Sequence, residues 1–245
     1  MNRDLETKEY RFSEKEHLHE LLVDGEWKAL TGCTTILSVL AKPALIPWAA
    51  KVAVEFIETA HKSGLELTEQ VFRDAKNAHR IKKEKAGDIG TQIHAEIESL
   101  IKEAILSPTR QIQGNKDVSE LTQHFVKWAI DNNVKFLESE KHVYSKKMFL
   151  GGIVDIVCEL DGKLWIVDIK TGSGIYPEHF AQMAGYELMM GEMGYPEMGG
   201  AVVLNLRKDG KFEEKRSISN EDAKKFFLAC VDVYRLQEKF KNQII

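Results

Sequence analysis

The stretch GGIVDIVCELDGKLWIVDIKTG, residues 151–172, constrains the fold of this chain more tightly than any other. Asp161-Gly162 suits a two-residue type I′ turn, which fixes the register of the strands on either side. With Leu160 facing Lys163, counting back along both arms puts Asp155 opposite Asp168 on one face of the sheet. Their Cβ atoms are then expected roughly 4.5–5.5 Å apart. Side chains alternate along a strand, so Lys170 joins both acids on that face.

The surroundings sharpen this reading. Ile153, Val154, Ile156 and Val157 flank one acid, and Ile166, Val167 and Ile169 flank the other. Such near-continuous apolar runs mark strands covered on both faces. Two carboxylates held together there repel each other and lose hydration. A divalent cation between them, with Lys170 beside it, would resolve the conflict. The bland alternative is a structural Asp–Lys ion pair with the second acid facing solvent at a sheet edge. The opposed acids, the adjacent lysine and the apolar context together favour a site.

Around this hairpin the period of the sequence changes twice. Residues 17–31 read as a hairpin turning at Asp24-Gly25. From Thr34 to about Glu138 the pattern is helical. Pro47 stands in the first turn of a helix that closes near Gly64, and Thr68 caps a second. A third carries IGTQIHAEIESLIKEAIL, and after the polar loop SPTRQIQGNKD a fourth runs from Asp117 through VKFLES. From Glu140 strands dominate: KHVYSKKMF, the central hairpin, then AVVLNLR and KFEEKRSI about an Asp209-Gly210 turn. A helix at about 177–193 interrupts them, and another from Asn220 closes the chain. This order predicts an α+β fold: a central mixed β-sheet flanked by helices, with a large N-terminal helical insert. All 245 residues are expected to form a single domain, with 34–138 mainly helical and 139–216 the sheet-rich core.

Two helices carry further candidates. His94 shares a stripe with Ile97 and Ile101, and Gly90 lies one turn earlier. A histidine on such a stripe is usually a satisfied core residue, yet neutral imidazole also suits a metal held by carboxylates. Glu98, one turn on, reads either as a partner for a metal-bound water or as a surface acid. In PEHFAQMAGYELMM, Gln182 and Tyr186 project from one face. Ala184 and Gly185 suit close packing on the sheet.

Bulk properties narrow the class. A formal net charge of -4 argues against a surface that coats duplex DNA by general attraction. Local basic clusters remain at Arg80, Lys82, Lys83 and Lys85, at Lys146 and Lys147, and at Arg207 and Lys208, each more often a solvated face than a groove. Cys33, Cys158 and Cys230 form no close pair, which argues against a cysteine-held zinc site or iron–sulfur cluster. MNRDLETKEYRF has no apolar core for a secretory signal, so a soluble, cytoplasmic protein with reduced thiols and no membrane partner is expected.

Taken in order, Gly90–His94 (GxxxH), Asp155, Asp168–Thr171 (D-x-K-T) and Gln182–Tyr186 (QxxxY) resemble the PD-(D/E)XK nuclease superfamily, specifically its RecB-like branch. The N-terminal part is similar to the phage and mitochondrial genome-maintenance exonucleases, through the DG hairpin, Thr34–Leu37 and Pro43–Trp48. The resemblance implies a restriction-endonuclease-like core and a Mg²⁺- or Mn²⁺-dependent DNA nuclease, an exonuclease acting on DNA ends in recombination, repair or replication. It implies His94, Asp155, Asp168 and the Ile169 carbonyl as metal ligands. Asp155, Asp168 and Lys170 would be catalytic, with Lys170 orienting the attacking water or stabilising charge on the phosphate. Gln182, Tyr186 and Thr171 would contact DNA, or the first two would brace Lys170. The cysteines of the iron–sulfur relatives are missing, so no cluster is expected. A helical arch over residues 34–138, a homo-oligomeric ring around duplex DNA and a recombination partner protein stay open. So do endonuclease action and a vestigial site that only binds nucleic acid or a partner.

Overall fold

The computed structural model describes residues 5–114, 117–217, 221–241 and 243. Its first strands are β1 (Leu5–Glu6), β2 (Tyr10–Ser13), β3 (Leu18–Val23), β4 (Glu26–Ala29) and β5 (Thr31–Gly32). Helix α1 (Cys33–Ile36), α2 (Leu45–Lys62), α3 (Glu69–Leu106) and α4 (Glu120–Asp131) follow. The remainder is β6 (Lys135–Ser145), β7 (Leu150–Leu160), β8 (Lys163–Lys170), α5 (Pro177–Glu192), β9 (Gly200–Leu206), β10 (Phe212–Ser217) and α6 (Glu221–Lys241). No helix among the described residues is long and apolar enough to cross a membrane.

The chain divides into two units, residues 40–95 and the rest. In the smaller, α2 lies against the first turns of α3. Trp48 meets His79 edge-on at 6.4 Å, and Lys82 reaches Glu55 at 3.4 Å. Arg80 pairs with Glu84 along its own helix, so part of this basic cluster is neutralised locally.

The larger unit is built on a six-stranded mixed sheet in the order β10-β9-β8-β7-β5, with β6 also paired to β7. The β7–β8 hairpin has the expected register, from Leu160↔Lys163 to Ile156↔Val167. Its turn places Asp161 at φ 50 and Gly162 at φ 73, as a type I′ turn requires. β8 then pairs with β9 in parallel, so β8 is covered along both edges. Helices flank the sheet on both faces. Gln182 of α5 reaches Lys170, which pairs laterally with Asn205. Phe212, paired with Leu206 and so pointing to the opposite face, stacks on His124 of α4 at 5.9 Å. Ile156, Ile166, Val167, Ala201 and Val202 are fully or almost fully buried between these layers.

Three expectations need correction. The two helices expected between Thr68 and Pro108 are one continuous helix, because Gly87 and Gly90 are tolerated within the turns of α3. α4 starts at Glu120, capped by Ser119, which also donates to Glu96 Oε2 at 2.6 Å. That helix stops at Asp131, since Asn133 takes φ 52, and residues 135–139 belong to β6 instead. The start expected for the last helix, Asn220, lies outside the described residues.

Tyr10–Ser13 and Leu5–Glu6 add two strands to the Asp24-Gly25 hairpin, making a separate four-stranded sheet. Its Tyr10 hydroxyl bonds His19 Nδ1 at 2.6 Å and His142 Nδ1 at 3.2 Å. Burial, aided by His142 and His17, lowers the His19 pKa to about 4. The unfolded chain therefore takes up this proton first, near pH 6.5, and the folded chain only near pH 4. Stability from this group is present above pH 6.5 and is lost as the pH falls between those values, on the order of 3 kcal/mol. Urea midpoints measured from pH 7 to pH 4 should fall, and His19→Gln should flatten that slope. Parallel slopes would assign the acid sensitivity elsewhere.

Candidate active site

Asp155 owes its position to a fork in the sheet. One edge of β7 is paired with β6 from Glu159 to Leu150. The other edge pairs with β8 only as far as Ile156, and with β5 only at Leu150 and Gly151. Among the described residues, 152–155 therefore have no strand on that edge. The register brings Asp155 and Asp168 to the next rung, but the ladder ends before it. There the Asp155 carboxylate takes the place of a backbone acceptor: its Oδ2 receives the Ile169 N–H at 2.8 Å. The two acids are thus brought together at the point where the pairing of β8 with β7 has ended while its pairing with β9 continues.

Lys170 ties the second acid to α5. Its Nζ donates to Asp168 Oδ1 at 2.8 Å and stands 2.7 Å from Oδ2, the latter out of line for a hydrogen bond. It also lies 3.4 Å from Gln182 Oε1, and Gln182 Nε2 donates to the Tyr186 hydroxyl at 2.7 Å. The expected Gln–Tyr pair is therefore one chain of contacts behind Lys170. Gly152 makes room for it, since a Cβ there would lie 2.5 Å from Tyr186 Cε1. Gly185 does not pack on the sheet as expected; it receives the Phe227 ring of α6.

Electrostatics follow from burial. Desolvation pushes the Asp168 carboxyl above the usual carboxylate range; Lys170 opposes that rise and the Asp155 charge adds to it. Burial works against the Lys170 ammonium, but Asp168 and Asp155 outweigh it and hold its pKa above that of an ordinary lysine. Lys170 is accordingly a cation at neutral pH.

The remaining candidates are placed as follows. Thr171 is half-buried just past the end of β8. His94 lies on α3, in the last turn before the smaller unit ends at Ala95. Glu98 is buried and held by Lys102 at 2.5 Å. Lys146 is paired with Glu9, and Arg207 with Asp209 and Glu213, so these cations are also compensated.

Sequence reasoning missed three residues. Glu140 stands between Ser139 and Lys141, which pair with Ile156 and Val154, and so lies opposite Asp155. Carboxylate oxygens of the two come within 4.8 Å of each other. An acid one strand back in an otherwise mixed run gave no periodic signal, and Glu140 sits within β6 at a positive φ of 49. His179, one turn before Gln182 on α5, accepts the Tyr176 N–H at its Nδ1. Asn205 is paired laterally with Lys170; its position two residues after a buried valine could have flagged it, because a buried amide needs partners.

These groups suit a divalent cation. The donors are carboxylate oxygens, the preference of Mg²⁺ and Mn²⁺. Two buried acceptors in this region, Asp168 Oδ2 and Asn205 Oδ1, receive no hydrogen bond among the described residues. A hydrated cation would supply the missing donors and neutralise the opposed acids.

A sequence model of the PD-(D/E)XK nuclease superfamily matches residues 60–244, well over half of the chain and every element of the site. The chain belongs to the PD-(D/E)XK nuclease superfamily. Its helix-flanked mixed sheet is consistent with the restriction-endonuclease-like core of that superfamily, whose nucleases typically use divalent metals. No curated protein matches the chain. A solved structure titled "Crystal structure of SSO0001" aligns over 84% of this chain and 82% of its own, at 16% identity and a TM-score of 0.36.

Proposed function

We propose that this superfamily member is a Mg²⁺- or Mn²⁺-dependent deoxyribonuclease of the RecB-like branch, acting as an exonuclease on DNA ends. The observation that carries the reading is Lys170, held as a cation between Asp168 and Gln182 beside the unpaired edge at Asp155. A purely structural ion pair has no use for a second acid facing it across a broken ladder.

Asp155 and Asp168 would hold the metal, with Glu140 beside Asp155 and the Ile169 carbonyl and His94 as further ligands. A cation held there would supply a more acidic water and neutralise charge on the phosphate. Lys170, already protonated, stabilises negative charge growing on the phosphate oxygens rather than taking a proton. Gln182 and Tyr186, 8% and 5% exposed, brace the ammonium, and Thr171 is left to contact the DNA backbone.

The test is digestion of end-labelled single-stranded and duplex DNA in Mg²⁺ or Mn²⁺, wild type beside Lys170→Ala. Label should be lost only with metal, and the variant should be slower by roughly 10²–10³-fold. Efficient cutting of closed circles would make the protein an endonuclease. Binding of DNA with no cleavage in either metal would support a vestigial site.

A further inference from the structure

A pocket of about 420 Å³ opens beside the site, lined mainly by Ile175, Tyr176, Pro177, Phe180, Lys215 and Phe226. We propose that it holds a nucleobase of the DNA strand whose phosphate is cut; this rests on the nuclease reading above.

Its position links it to the chemistry. Residues 171–176 run directly from Lys170 into the pocket wall, and Ser173 in that segment bonds the Tyr176 hydroxyl at 2.8 Å. Asp168 pairs laterally with Val203, and Val203 with Lys215. Lys215 therefore stands two strand spacings from Asp168, roughly 10 Å, on the same face of the sheet. That is within the span of a few nucleotides.

Its lining suits a base. Three aromatic rings and a proline offer flat apolar surface, and the volume falls in the range of small-molecule sites. The charge fits as well. Lys215 is exposed and in no ion pair among the described residues, whereas Asp222 on the rim is offset by Lys225 at 3.3 Å. A net cation beside aromatic surface matches a base with its phosphate and has no equivalent use for a purely apolar protein segment. Stacking is tolerant of base identity, as a nuclease without sequence preference needs.

The experiment is fluorescence anisotropy of a labelled single-stranded oligonucleotide with the full chain, in the absence of divalent cations so that nothing is cut. Phe226→Ala and Phe180→Ala should each weaken binding roughly tenfold, and Phe226→Trp should restore it. An oligonucleotide with abasic positions should bind wild type more weakly by the same factor and show little further loss with Phe226→Ala. Lys215→Glu, on an exposed strand position that tolerates change, should lower affinity and reduce its salt dependence. The proposal is overturned if the aromatic variants bind as wild type, in which case an apolar protein segment is the better occupant. Equal losses on normal and abasic DNA would overturn it too. If wild type cleaves DNA while these variants bind normally, only the pocket assignment fails; if wild type neither binds nor cleaves, the nuclease reading fails with it.

Discussion

Asp168→Asn is expected to lower phosphodiester cleavage on the order of a thousandfold or more while leaving the fold in place. The substitution keeps the size of the side chain, and an amide oxygen still accepts from Lys170, which now stands 2.8 Å from Oδ1. What disappears is the buried negative charge that attracts the cation. Two measurements check this: turnover on end-labelled DNA, and Mn²⁺ binding by calorimetry on the same preparations. Saturating metal should also stabilise the wild type, by about 2.7 kcal/mol at a hundred times Kd, a rise of roughly 5–10 °C in Tm for a chain this long. The variant should lose that rise. Glu140→Gln should weaken Mn²⁺ binding as well, because its carboxylate stands within 4.8 Å of Asp155. Turnover of Asp168→Asn within tenfold of wild type, in a clean preparation, would sink the assignment of this site.

Gly200→Ala should be the most damaging small substitution in the sheet, costing about 3 kcal/mol or more. Gly200 opens β9 at φ 154, a backbone conformation that side chains avoid. An added Cβ would fall 2.3 Å from the Ser217 carbonyl oxygen and 2.6 Å from the Trp165 ring. The first obstacle is backbone in the paired strand, so no rotamer change relieves it, and β9 would have to part from β10 or β8. Because β9 supports β8 behind Asp168 and Lys170, activity should fall with stability. Gly191→Ala is the control, since it lies exposed on α5 with nothing within 4 Å of its Cβ. It should be neutral or stabilising by about 0.5–1 kcal/mol. Equal urea midpoints for the two variants would show that the close approach at Gly200 is tolerated.

Local chemistry in the chain determined a good deal on its own. Asp161-Gly162 specified a turn with two positive φ values, that turn specified the register, and the register brought Asp155 and Asp168 to one rung. The period of two placed Lys170 beside Asp168, and the period of 3.6 placed Gln182 beside Tyr186. Each is a short-range consequence of backbone geometry, so a sequence carries it without knowledge of the rest of the fold. Tertiary structure decided what depends on neighbours distant in the chain. It ended the β7–β8 ladder one rung early, with β8 still paired to β9 on its other edge, and there the Asp155 side chain takes over a backbone hydrogen bond. It set Glu140 against Asp155 through a strand whose own pattern is irregular. It joined two expected helices into α3, since continuous backbone hydrogen bonding carries the helix through two glycines at modest cost. It also made Lys170 a firm cation, because the balance between lost hydration and two facing carboxylates exists only once three strands and a helix have closed around it.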